Sequence, residues 1–198
     1  MLHKSKIAGM LFFTLFIFIF TNTASAHCDS MEGPVVKASQ KALETGNINY
    51  VLIWVRAEDE PEIQKLFDKV LHVRKLNDEA KELADMYFFE TAVRIHRMGE
   101  GEPYTGIKPI GYHPEAGIEL ADLAIEKNSL SQVLLHIPKE KQEKVKELFT
   151  DLQSKKNYDV NDIKAGREFV AAYVHFIHYV ERIYNNREDK VDEILHKH

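Results

Sequence analysis

The chain has 198 residues, with 26 Lys and Arg against 31 Asp and Glu and a formal charge of −5. One cysteine rules out an internal disulfide, and the lack of a Lys/Arg-rich stripe interleaved with aromatics argues against a nucleic-acid partner. The sequence has no Gly-x-Ser-x-Gly, phosphate-binding loop, dinucleotide fingerprint, His-Glu-x-x-His or Cys-x-x-Cys-His, so hydrolases, nucleotide enzymes, zincin proteases and c-type cytochromes lack their signatures.

At the start, Met1-Leu2-His3-Lys4-Ser5-Lys6 is a short basic segment. An apolar run from Ile7 to Phe20 follows, and then Ala24-Ser25-Ala26. These are the three parts of a secretory signal peptide over residues 1–26, which predicts cleavage after Ala26 and a mature protein from His27, secreted or periplasmic. The apolar run is shorter than the about 20 residues of a membrane-spanning helix. No second run of that kind occurs, so no stable membrane insertion is expected after cleavage. Cleavage would remove Lys4 and Lys6 and no acid, leaving 24 basic residues against 31 acidic ones.

The remaining chain reads as a single helical domain, residues 27–198. A first helix over about Val35 to Glu44 stops at Gly46, a natural C-terminal cap. Tyr50 to Val55 is a short apolar run, read as a short buried helix. From Glu62 to Arg74, Ile63, Leu66, Phe67 and Val70 recur at i, i+3, i+4 and i+7, one face of a helix. Asn77 is placed to cap the next helix, which ends at Gly99-Glu100-Gly101. Residues 100–113 are rich in Gly and Pro and form a linker.

The second half, residues 114–185, repeats the first at an offset of 82 residues. Ala42 to Ile53 lies over Ala124 to Leu135, and Ile63, Leu66, Phe67 and Val70 fall on Val145, Leu148, Phe149 and Leu152. In the same register Asn77 falls on Asp159, Tyr87 on Phe169, and Ile95-His96 on Ile177-His178. Asp159 is expected to cap a last helix that runs to about Asn185, ahead of a charged tail at 186–198. The expected fold class is all-α, a helical bundle of two duplicated halves related by a pseudo-twofold. The aromatic runs Tyr87-Phe88-Phe89 and Phe169, Tyr173 and Phe176 are read as core.

Two groupings carry possible chemistry. After cleavage, His27 offers an α-amine and an imidazole, and Cys28 an amide nitrogen and a thiolate, which together can chelate one ion. Mixed nitrogen and sulfur donors suit Ni(II) or Cu(II), and the thiolate also suits Cu(I) or Zn(II). In the second grouping, His175, His178 and Glu181 follow one another at i, i+3 and i+6 along one side of a helix. His96 is the counterpart of His178, so a pseudo-twofold brings those two imidazoles towards the axis, as bundle metal sites do.

His27-Cys28-Asp29-Ser30-Met31-Glu32-Gly33 resembles the N-terminal hook of nickel superoxide dismutase, H-C-D-x-P-C-G, which sits on a helical bundle. That resemblance implies metal ligation by His27 and Cys28. Glu32 holds the place of the family's second cysteine and Met31 that of its proline, so one thiolate ligand is replaced. Nearly the whole mature chain resembles an uncharacterised bacterial family of exported proteins, a domain of unknown function. The resemblance is carried by His27 to Val36, Ala42 to Gly46 with Val51 to Val55, and Phe176 to Glu181. It implies export and a common fold, and no activity.

The sequence therefore points to an exported metal-binding protein with a redox or metal-handling role and a transition metal (Ni, Cu or Zn) as cofactor. The candidate ligands are His27, Cys28, Glu32, His96, His175, His178 and Glu181. The alternative is a non-enzymatic helical module that binds a ligand or a protein partner, with an incidental His27-Cys28. No catalytic residue is singled out.

Overall fold

A computed structural model describes residues 28–195. Residues 1–27, where the expected signal peptide and His27 fall, and residues 196–198 lie outside the described residues. Among the described residues are eight α-helices and no strand. They are α1 (Pro34–Thr45), α2 (Asn49–Leu52), α3 (Glu60–Val73), α4 (Asp78–Glu100), α5 (Ala116–Lys127), α6 (Ser131–His136), α7 (Lys139–Lys155) and α8 (Ile163–Leu195). A single 3-10 turn, Ala57–Asp59, precedes α3. The all-α bundle expected from periodicity is the fold.

Local sequence explains most of the boundaries. Pro34 opens α1, where its missing N–H costs nothing. Gly46 closes α1 at φ +72°, a left-handed conformation that suits glycine, and Gly101 closes α4 in the same way at φ +77°. Asn77 caps α4 as expected, its side chain accepting from the Ala80 N–H at 2.7 Å. In the second half the capping residue is Asp162 and not Asp159. Asp162 Oδ1 accepts from the Ala165 N–H at 3.0 Å, whereas Asp159 accepts from the Asn161 N–H and shapes the turn before the helix. Asx turns and N-caps use the same side-chain chemistry, so spacing did not separate them. The last helix also continues past Asn185, to Leu195.

The two long helices organise the molecule. α1 and α3 pack on α4, while α5 and α7 pack on α8. The short helices α2 and α6 pack against α1 and α5, respectively. Val35, Val36, Ile63, Phe88, Val93, Ile118, Leu152 and Phe176 are fully enclosed and belong to one continuous core. Phe88, Phe89, Tyr173 and Phe176 take their expected core places, but Tyr87 faces solvent at 62 % exposure. Two glycines mark close crossings. A Cβ on Gly117 of α5 would stand 2.8 Å from the Glu181 Cα of α8. A Cβ on Gly166 of α8 would collide with Ile53.

The segment before α1 is held by the loop between α4 and α5. Lys108 donates its N–H to the Asp29 carbonyl at 2.7 Å and accepts from the Met31 N–H at 2.9 Å. Glu32 Oε2 accepts from the Gly111 N–H at 2.9 Å. The result is a short parallel pairing that lays residues 28–32 along the linker. Among the described residues, no helix is long and apolar enough to cross a membrane.

Candidate functional site

The linker clamp presses Cys28 and Asp29 inward, towards the last turns of α4. Both are buried, at 8 % and 1 % exposure. Asp29 meets Arg97, with Oδ1 3.5 Å from Nε, and neither side chain reaches solvent. Arg97 is the largest fully buried side chain of the described residues. Its Nη1 donates to Glu100 Oε2 at 3.1 Å, and its Nη2 lies 3.8 Å from Glu102 Oε2. One guanidinium thus serves three carboxylates. A buried arginine is tolerable only when its charge is matched in this way, because removing an ion from water costs several kcal/mol (on the order of) per charge.

His96 lies one residue before Arg97 on α4 and is buried at 4 % exposure. Its Nδ1 is 2.8 Å from the Trp54 carbonyl oxygen. A carbonyl only accepts, so Nδ1 carries the proton, and in the neutral ring Nε2 carries the lone pair. That Nε2 lies 3.4 Å from Glu100 Oε1, and both atoms are buried with no hydrogen-bond partner. Two acceptors facing each other are satisfied by a proton on either group, by a water that donates to both, or by a metal ion. Backbone anchoring of one ring nitrogen so that the other points into a site is how metal-binding histidines are oriented.

The Cys28 thiol shares this environment. Its pKa is raised well above the ordinary thiol value, first by burial and then by the negative fields of Glu100 and Asp29, with Arg97 acting the other way. Without a bound cation the group is a neutral thiol. Burial also pushes the Asp29 carboxyl up, against the pull of Arg97 and His96. Tyr173 on α8 donates its hydroxyl to Asp122 Oδ1 at 3.1 Å, and burial, Asp122 and Cys28 hold its phenol well above its usual range. Trp54 packs edge-on against both His96 and Tyr173, with ring centroids 5.7 and 5.8 Å apart.

The other expected ligands are spread more widely. His178 is partly exposed and pairs through Nδ1 with Glu181 Oε2 at 2.7 Å, which raises its pKa. The field of Glu100 also reaches it. His175 faces solvent, because steps of about 60° at i, i+3 and i+6 accumulate to about 120° between the first and last residues. Glu32 is exposed and committed to Gly111. Among the described residues, no group of three or more His, Cys, Asp or Glu side chains is arranged to hold a metal ion.

Sequence reading missed Arg97, Asp29 and Glu100. A signal was available: on α4 the buried stripe of Phe89, Val93 and His96 continues into Arg97 and Glu100, and a charge in line with an apolar face requires an internal partner.

Fold and site together define an all-helical bundle with a thiol, an imidazole and an arginine–carboxylate network enclosed beneath its N-terminal segment. The chain belongs to a family of unknown function (DUF6448), whose model matches residues 32–179. That span takes in His96, Arg97, Glu100 and His178 and begins four residues after Cys28. No curated protein and no solved structure matches the chain.

Proposed function

We propose that this is an exported metal-binding protein whose ion lies between the mature N-terminus and the last turns of α4. The His27 amine or imidazole and the Cys28 thiolate are its donors at the N-terminus, and His96 Nε2 and Glu100 Oε1 of α4 would join them only once the N-terminal segment closes on the ion. The observation that carries the reading is the facing pair of unpartnered buried acceptors, His96 Nε2 and Glu100 Oε1, 3.4 Å apart. Cys28 adds a soft donor in the same electrostatic neighbourhood, which favours Ni, Cu or Zn over Mg or Ca. A divalent ion also reverses the local charge balance, stabilising the thiolate that the carboxylates otherwise disfavour. The role is metal handling or one-electron chemistry.

The repeated order of elements, with α1, α2 and α3 around α4 and then α5, α6 and α7 around α8, supports an origin by internal duplication. Of His96 and His178, His96 is the enclosed one, and its Nε2 faces Glu100 Oε1 while Arg97 holds the other oxygen of that carboxylate. On this reading the ion is not shared on a pseudo-twofold axis and belongs to one half.

The test is metal analysis by mass spectrometry on protein exported and processed in a bacterial host, with the N-terminus confirmed at His27. Near-stoichiometric Ni, Cu or Zn is expected. Cys28→Ser and His96→Gln should each weaken binding by about ten- to a hundredfold while leaving the helical circular dichroism intact. If the wild type takes up none of the three ions after incubation, the metal reading fails. The helical ligand-binding or interaction module then becomes the better description.

A further inference from the structure

A pocket of about 420 Å³ opens where the turn after α2 and the end of α4 meet the N-terminal part of α8. Its size lies within the range of about 300–1,000 Å³ typical of small-molecule sites. Independently of the metal reading, we infer that it holds one small neutral amphiphile. The apolar body lies in the pocket, and a hydroxyl or carbonyl group meets His175 at the rim.

The walls decide the body of the guest. Ile53, Val55, Val170 and Val174 supply aliphatic surface, and Trp54 adds an indole. His96 and Glu100 belong to the same wall, but their polar atoms offer a guest nothing. His96 Nδ1 is bonded to the Trp54 carbonyl, and Glu100 Oε2 accepts from Arg97. His96 Nε2 and Glu100 Oε1 are buried atoms behind the wall. A guest therefore finds apolar contact along its length.

Charge selects a neutral guest over an ion. Arg167 donates to the Val55 and Leu52 carbonyls at 3.1 and 3.2 Å and to Glu60. Arg56 is bonded to Asp59 at 2.9 Å and paired with Glu58 at 3.2 Å. Ala171 and His175 also line an adjoining polar cleft, where Lys155 meets Asp151 at 2.7 Å and Glu168 lies 4.0 Å from Lys164. Each of these charges has a partner of opposite sign, so an ion entering the pocket loses hydration and gains no counter-charge. His175 is different. It is exposed, lines both the pocket and the cleft, and among the described residues makes no hydrogen bond or ion pair. An imidazole can donate through one nitrogen and accept through the other, which suits a hydroxyl or a carbonyl.

Trp54 is the only tryptophan in the sequence, so its emission reports on this wall. The probe is 1-octanol, titrated into the purified chain with no metal added. The expected result is a saturable change of Trp54 emission at constant helical circular dichroism. Ala171→Phe, at an exposed position on the α8 wall, should weaken octanol binding by about tenfold or more. Val174→Phe narrows the same wall and serves if the first variant misfolds. His175→Ala should weaken binding by about two- to tenfold, the worth of one hydrogen bond. Octanoate and octylamine carry the same chain with a charge of either sign and should bind about tenfold more weakly or worse.

Emission unmoved by octanol up to its solubility limit overturns the inference. So does a response that neither pocket-filling variant weakens, because the alcohol then binds elsewhere. Octanoate or octylamine binding as tightly as octanol overturns the neutral class, and an affinity indifferent to His175→Ala overturns the polar contact. None of these measurements involves a metal ion, so their outcome leaves the metal reading untouched.

Discussion

Arg97 shows how far a single residue can govern an interior. It stands on the apolar side of α4 at 2 % exposure and is surrounded by Asp29, Glu100 and Glu102. Desolvation of these charges is offset only while all are present. Replacing Arg97 with Met keeps much of the volume but leaves carboxylates buried without their cation. We expect Arg97→Met to lower stability by about 3–5 kcal/mol at neutral pH, the range for breaking a buried ion pair by removing one partner. Adding Asp29→Asn should recover part of that loss, because the second change removes one of the stranded charges. Urea unfolding at pH 7 of the single and double variants measures both quantities. A loss below about 1 kcal/mol for Arg97→Met would mean that water reaches this cluster, since exposed pairs contribute only that much.

Among the elements, the crossing of α5 and α8 depends on a residue with no side chain. Gly117 brings the two backbones so close that an added Cβ would lie 2.8 Å from Glu181 Cα and 3.1 Å from Tyr184 Cβ. Its φ is not positive, so the requirement is for space and not for a special conformation. Gly117→Ala would gain helix propensity, worth about 1 kcal/mol, yet has to push two backbones apart. The overpacking cost of about 1–3 kcal/mol dominates, so the melting temperature should fall. Calorimetry of the variant checks the sign, and a rise would show that α5 can shift freely on α8.

The same scale shows what the sequence made legible. The stripe of Ile63, Phe67 and Val70, the Asn77 cap and the Gly46 stop are local signals, and each has its expected structural form. The close crossing at Gly117, the choice of Asp162 over Asp159 and the internal partners of Arg97 depend on contacts between segments far apart in the chain. Periodicity carries no information on those. The candidate site was half legible for this reason. Cys28 stood out by rarity and His96 by its register with His178, whereas Glu100 looked like part of an ordinary helix end until Arg97 and His96 were seen to meet it.

For the molecule as a whole, the question is what holds residues 28–32 against the bundle. They precede α1, and the Lys108 and Gly111 contacts attach them to a loop that is itself irregular. Such a clamp opens more readily than a packed helix, because it rests on a few hydrogen bonds near the surface. An ion that joins Cys28 to His96 and Glu100 would tie this segment to α4 and suppress that opening. The linkage is quantitative: a ligand at about a hundred times its Kd stabilises the bound form by about 2.7 kcal/mol, which slows exchange through the opening about a hundredfold. Hydrogen exchange with mass spectrometry should therefore show the Met31 and Lys108 amides slowing strongly when nickel, copper or zinc is added. Amides in the middle of α3, which touches neither donor set, should keep their rates except where exchange requires global unfolding. Uniform slowing across the chain would point to general stabilisation. Slowing confined to the clamp would place the ion where the N-terminal segment meets α4.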